Sequence, residues 1–334
     1  MLLALTAHIA LAGYGDPIDG IPNAWERELH VWTNAARVEP EAFAEHYDCG
    51  FDSFKPNEQE PQMPLLWEDG LGDAARFHTD DMADTNNFSH TSSDGTSFGA
   101  RLERYYSGGY VGENIAMGYG DPWEAVIIGW MCSTGHRENI MSSNYEELGT
   151  GVRDTWYTQD FGAQGVDIAA HSVRLGAHIP ENPGGSAELI AAFYDASGAD
   201  VVRLRAIVNG VPKRMKLAYG TESSGIFSAD IDVTDSCTAY FFEAELADGT
   251  FDTYPEEGVY GFGTCDWVDQ EAQWMHRDAD GMGFGDSGPE PEEERDAPAH
   301  REWRKWPFAG CNSTGTRAGW TFLVLLPLLA RRRR

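Results

Sequence analysis

Basic residues are scarce in this 334-residue chain: 24 Lys and Arg stand against 54 Asp and Glu, for a formal net charge of −30. A surface of that sign repels nucleic acid phosphates and anionic membranes at long range. Polynucleotide partners are therefore not expected, while divalent cations and cationic surfaces stay compatible. The sequence has no GxSxG elbow, no HExxH helix, no phosphate-binding loop and no dinucleotide fingerprint. Its C-terminal apolar stretch, Ala318 to Ala330 broken by Thr321, reaches only about 20 Å as a helix against about 30 Å of bilayer hydrocarbon. With five cysteines and ten histidines in the whole chain, each of these positions is informative.

The apolar stretch Met1 to Ala12, with Ala10 and Ala12 in a small-x-small pattern, reads as the tail of a secretory signal peptide lacking its basic leader, or else as an apolar first strand or helix. At the other end Cys311 opens the polar run CNSTGTR, the apolar stretch follows, and Arg331 to Arg334 come last. This arrangement resembles a C-terminal sorting signal of the MYXO-CTERM type. The resemblance implies export and retention at the cell surface or outer membrane through Cys311, with the arginines on the cytoplasmic side. In an exported chain the other cysteines are expected to pair within their domains, Cys49 with Cys132 and Cys237 with Cys265, which leaves Cys311 single.

The expected fold class is α+β, with an α-β-α segment over residues 21–165 and a small antiparallel β-sandwich over 166–266. Trp25, Leu29, Trp32 and Ala36 recur at helical spacing. A second helix is predicted from Gly70 to Thr85, and a third begins where Asp121 can cap and Pro122 suits the first turn. Leu148 to Phe161 reads as extended. In the second segment Val202, Leu204, Ala206 and Val208 alternate into Asn209-Gly210, a hairpin signal, and Tyr240, Phe242, Ala244 and Leu246 repeat the alternation. Residues 267–310 form an acidic linker ending at the anchor segment 311–334. Within it Asp278, Asp280 and Asp286 partly match a calcium loop, with Met282 where another carboxylate would help, and a solvated acidic linker is the alternative reading.

His90, Glu113 and His136 are the candidate site. They lie in FSH at 88 to 90, GENIA at 112 to 116 and STGHRENI at 133 to 140; GW at 129 to 130, LGTGV at 148 to 152 and YTQDFG at 157 to 162 fall in order around them. Together with Asn34, Arg37, Pro64, Leu65 and Trp67, these motifs resemble bacterial members of the CAP (SCP/PR-1-like) superfamily over residues 21 to 165. The resemblance implies an α-β-α sandwich whose cleft carries two His and two Glu, in a family that includes sterol and lipid binders. His90, Glu113 and His136 match three of those positions, and Ser133 stands where the second Glu is expected.

Two imidazoles and one carboxylate are a donor set for Zn²⁺ with an open position. Loss of the second carboxylate removes a natural base, which favours binding of a cation or a small apolar or glycan ligand over hydrolysis of peptide or cell-wall bonds. Tyr157 and Gln159 are expected to line the cleft. An adhesion module with a vestigial site is the other alternative. Arg137, Glu138 and Asn139 read as structural, His78 as packed, and Glu113 and Asn114 as either cleft groups or loop-holding hydrogen-bonders.

Overall fold

Asn23 and Glu26 start the first helix with a reciprocal cap. The Asn23 side chain accepts from the Trp25 and Glu26 backbone N–H groups at 3.0 Å, and Glu26 Oε2 accepts the Asn23 N–H at 2.9 Å. Three donors at the helix start are thereby satisfied, and α1 runs over Ala24–Val38. The computed structural model describes residues 21–46, 49–165, 167–182, 185–233 and 237–263, all inside one compact unit. The signal-peptide stretch, the linker with Asp278, Asp280 and Asp286, and the anchor with Cys311 lie outside the described residues.

After α1 come α2 (Pro40–His46), α3 (Pro56–Gln59), β1 (Leu66–Trp67), α4 (Asp69–Thr85), α5 (Phe98–Leu102) and β2 (Tyr110–Met117). Then follow α6 (Pro122–Glu124), a π-helix (Ala125–Met131), α7 (Thr134–Ile140), β3 (Glu147–Arg153) and β4 (Trp156–Ala163). The four strands form one sheet in the order β1-β3-β4-β2. Asp121 caps the third helical stretch as expected, accepting the Glu124 N–H at 2.8 Å, but that stretch winds as a π-helix after its first turn.

Helix α4 can lie directly on the sheet because Gly149 and Gly151 have no side chains. A Cβ at Gly149 would fall 2.0 Å from Gly72 N, and one at Gly151 2.5 Å from the Ala75 carbonyl. Thr79 Oγ1 donates to Thr158 Oγ1 at 2.8 Å across the same interface. On the other face α1 docks through Thr150 Oγ1 to Glu26 O at 2.8 Å and Gln159 Nε2 to Thr33 Oγ1 at 2.5 Å. Helices thus cover both faces of the sheet, which confirms the expected layering.

The second segment holds β5 (Val173–Asn182), β6 (Ser186–Tyr194), β7 (Arg203–Val208), β8 (Val211–Arg214), β9 (Lys216–Thr221), β10 (Ser224–Asp232), β11 (Cys237–Glu245), β12 (Phe251–Tyr254) and β13 (Tyr260–Gly263). They make two antiparallel sheets, β5-β6-β10-β9 and β12-β11-β7-β8, with β13 also paired to β11. Asn209 and Gly210 turn β7 into β8 with φ of 46° and 79°, the two positive values that a mirror-image hairpin turn requires. Cys49 and Cys132 are disulfide-bonded. Cys237 is also disulfide-bonded, and its expected partner Cys265 lies outside the described residues.

The first helix contacts both segments. Every residue from Glu26 to Val38 is buried, because the face turned away from the first sheet meets the sandwich. Trp32 and Phe43 pack on Tyr219 with ring centroids 6.5 and 5.2 Å away, and Glu39 Oε2 accepts the Gly220 N–H at 3.0 Å. Arg27 lies over the Tyr260 ring at 3.6 Å and donates to Tyr240 Oη at 3.2 Å. Trp25, read from the sequence as part of the apolar face, is 43% exposed, since it falls in the first turn, ahead of the buried stretch.

Candidate functional site

Strand β2 is an edge strand, and its outward carbonyls have no strand partner. Side chains supply one: Trp130 Nε1 donates to Ile115 O at 3.1 Å, and Asn139 Nδ2 to Glu113 O at 3.2 Å. This satisfies backbone groups that would otherwise be unpaired and blunts the edge. Asn114 adds a second tie, donating to His136 O at 3.1 Å and to Gln159 Oε1 at 3.0 Å while accepting from Asn139 at 2.9 Å. Helix α7, which carries His136, is therefore fixed against β2.

Two arginines hold α7 from behind. Arg137 donates to Glu58 Oε2 and to Met131 O, each at 2.8 Å, and its guanidinium lies 3.8 Å from the centre of the Phe54 ring. Arg37 donates to Ile140 O at 2.5 Å, Ser142 O at 2.9 Å and Met63 O at 2.8 Å. Arg137 and Asn139 are structural, as read from the sequence, and Glu138 pairs with Lys55.

On the α4 side of β2, Glu113 reaches its partners with both oxygens. Oε1 accepts from His90 Nδ1 at 2.8 Å, and Oε2 pairs with the buried Arg101 guanidinium. Arg101 also donates to His90 O at 3.3 Å and to Ser92 Oγ at 2.9 Å, so it organises the loop that presents His90. A carboxylate on Nδ1 assigns the hydrogen to that nitrogen and leaves Nε2 as the acceptor. The His90 side chain is 52% exposed. His78 is buried, bonded through Nε2 to Ser89 O at 2.9 Å, and lies 4.0 Å from Glu113 Oε2. The His136 ring is half-buried with its Nδ1 unpartnered. Burial, and then the nearby His90, lower its pKa.

Residues 32–170 match the family model described as "CAP: Cysteine-rich secretory protein family". This segment is a CAP domain. Over 98 residues the chain is 40% identical to "Uncharacterized membrane protein YlbC" of Bacillus subtilis (strain 168), covering 29% of this chain and 28% of that protein. Over 104 residues it is 36% identical to "Uncharacterized protein YkwD" of the same organism, covering 29% and 39%. The chain thus spans well under half the length of either relative. A solved extracellular SCP-domain protein from Bacillus anthracis str. Ames shares 32% identity with a TM-score of 0.29, over 39% of this chain and 40% of that one.

Within the CAP domain the three expected residues gather around β2. Both Glu113 oxygens are engaged, by His90 and by Arg101. Among the described residues no group of three or more His, Cys, Asp or Glu side chains could hold a metal ion. Glu113 acts on His90, whose Nδ1–H it accepts.

Tyr157 and Gln159, expected to line the cleft, are fully buried. They sit on the α1 side of the sheet, where Tyr157 Oη donates to Tyr119 O at 3.1 Å and Gln159 binds Thr33 and Asn114. Ser133 starts α7 without making a side-chain cap. Glu124, near the start of the helical stretch that leads to Trp130, accepts the Gly120 N–H at 2.9 Å. Sequence reasoning overlooked Arg101 and Asp160. For Asp160 the available signal was a carboxylate in mid-strand, where aspartate is disfavoured.

Proposed function

We propose that the CAP domain is a binding domain of an exported protein, and that its β2-edge site takes a small, largely apolar ligand whose polar group is met by His90 Nε2 and His136. The observation that carries this reading is the Arg101–Glu113–His90 chain, in which a buried ion pair orients a half-exposed imidazole. Preorganised polar groups beside apolar surface are what small-ligand sites require. Two residues before His90, Phe88 is 49% exposed and its ring lies 6.3 Å from Trp156. Met117, opposite Trp156 in the ladder, is 46% exposed. The Cys49–Cys132 disulfide fits an oxidising compartment.

The test is a titration of the folded chain with laurate, followed by tryptophan fluorescence. Saturable binding that weakens at least tenfold in Phe88→Ala and in His90→Ala supports the reading; no saturable change in the wild type sinks it. Calorimetry with Zn²⁺ on the same protein addresses the cation alternative, which needs one-to-one binding that disappears in a His90→Ala, His136→Ala double variant. Hydrolysis ranks lower, because Ser133 leaves the site without a second carboxylate beside the histidines.

A further inference from the structure

Asp160 stands directly across the β2–β4 ladder from Glu113 and is fully buried. On its other side the ladder places Gly149, over which the α4 backbone closes. Neither Asp160 oxygen meets a hydrogen-bond donor, and the register puts its side chain beside that of Glu113 on the same face of the sheet. Two carboxyl groups so placed bond only when a proton lies between them.

The ionisable groups facing this pair are few. Arg101 from α5 and His90 from the loop after α4 are bound to Glu113, and His78 from α4 lies 4.0 Å from Glu113 Oε2 with its pKa lowered by burial. One guanidinium balances one carboxylate. A second ionised carboxylate in the same space would be a buried charge without compensation, which proteins avoid by retaining the proton.

We propose that Asp160 is a positioning residue of this site: its protonated carboxyl donates a hydrogen bond to Glu113 and so fixes the carboxylate that orients His90. Burial, reinforced by the Glu113 charge and opposed by Arg101, raises the Asp160 pKa well above the ordinary carboxylate range. The consequence for ligand binding rests on the function proposed above; the proton and the geometry do not.

The experiment compares the full chain as wild type, Asp160→Asn, which keeps a donor toward Glu113, and Asp160→Val, which removes it. At neutral pH the wild type is expected to show the infrared carbonyl stretch of protonated carboxylic acids, with Glu28 contributing alongside Asp160, and Asp160→Asn to lose the intensity of one such group. As pH rises from 5 toward the raised Asp160 pKa, the wild-type folding equilibrium constant should fall about tenfold per pH unit more steeply than that of Asp160→Asn, the signature of one proton taken up on folding. By NMR the His90 Nδ1–H resonance should persist in Asp160→Asn and vanish in Asp160→Val. Laurate affinity should stay within about twofold in the former and fall at least tenfold in the latter. Equal acid-band intensity in wild type and Asp160→Asn together with equal pH slopes would overturn the proposal, as would an unchanged His90 resonance in Asp160→Val. If wild type fails to bind laurate, the proposed function falls while the infrared, pH and NMR readouts still decide the role of Asp160.

Discussion

Among the described residues Arg101 is the permanently charged partner of the Glu113 carboxylate, and both groups are almost wholly buried. Replacing it with methionine keeps much of the volume but leaves a buried carboxylate without its counter-charge. Loss of one member of a buried pair costs about 3–5 kcal/mol, so Arg101→Met is expected to lose stability in that range in denaturant unfolding, and to release the His90 loop. Gly149 acts at the same scale through the absence of a side chain. An added Cβ would lie 2.0 Å from Gly72 N, a backbone atom that cannot swing away. Gly149→Ala should cost about 1–3 kcal/mol or more as α4 is pushed off the sheet, whereas Gly135→Ala, with nothing within 4 Å of the new methyl, should cost far less by the same measurement.

Helix α1 decides whether the CAP domain can exist alone. Its charged residues Glu26, Arg27, Glu28 and Arg37 are buried along with its apolar ones, so removing the sandwich would expose Trp32, Phe43 and the Arg27 contacts together. A chain ending at residue 165 is expected to be insoluble or molten, with ANS binding and weak near-ultraviolet circular dichroism as the check; a cooperative, compact fragment would refute this. Arg27→Ala in the full chain should cost about 2 kcal/mol from the desolvated stacking on Tyr260 alone. Strand β6 carries the matching evidence. Leu189, Ile190, Ala191, Ala192 and Phe193 are all at 0% exposure, a run that is apolar on both faces because both faces are covered. Gly176 and His178 of β5 meet Phe242 and Tyr240 on the sandwich side, which turns Leu175 and Ala177 toward α1 by the two-residue period of a strand.

At the scale of the whole molecule, buried carboxyls and buried imidazoles set the pH dependence in opposite directions. Burial raises Glu28 to about 8 and Glu26 and Glu68 to about 7, from an ordinary 4.5. These groups take up protons on folding, so their contribution is fullest below pH 4.5 and is lost as pH rises toward 8. Burial lowers His30 and His178 to about 3 from 6.5. These two release protons on folding, so their contribution is fullest above pH 6.5 and is lost as pH falls toward 3. Between 4.5 and 6.5 the two trends oppose each other, with three carboxyls taking up protons on folding against two imidazoles releasing them. Thermal midpoints should therefore fall as pH rises through that window and fall more steeply just above 6.5, where only the carboxyls still act; a midpoint that climbs from pH 6.5 to 8 would contradict the assignment. The Cys49–Cys132 disulfide closes a separation of 83 residues, and its removal in Cys132→Ser should cost about 2–5 kcal/mol, read as a lower denaturant midpoint.

The sequence by itself determined what depends on neighbours along the chain. The caps at Asn23 and Asp121, the helix over Asp69–Thr85, the Asn209-Gly210 turn and the alternation of β7 and β11 follow from local propensity and period, and the ordered motifs marked the CAP segment with His90, Glu113 and His136. What the sequence could not express is which groups face one another across the fold. Glu113 read as a metal donor, and only the fold shows that its two oxygens meet His90 and Arg101. Tyr157 and Gln159 share their strand with Asp160, yet only the side of the sheet on which each lies distinguishes an α1 contact from a site residue. Helix α1 read as amphipathic because periodicity reports one buried face, and its second buried face exists only once the sandwich packs against it.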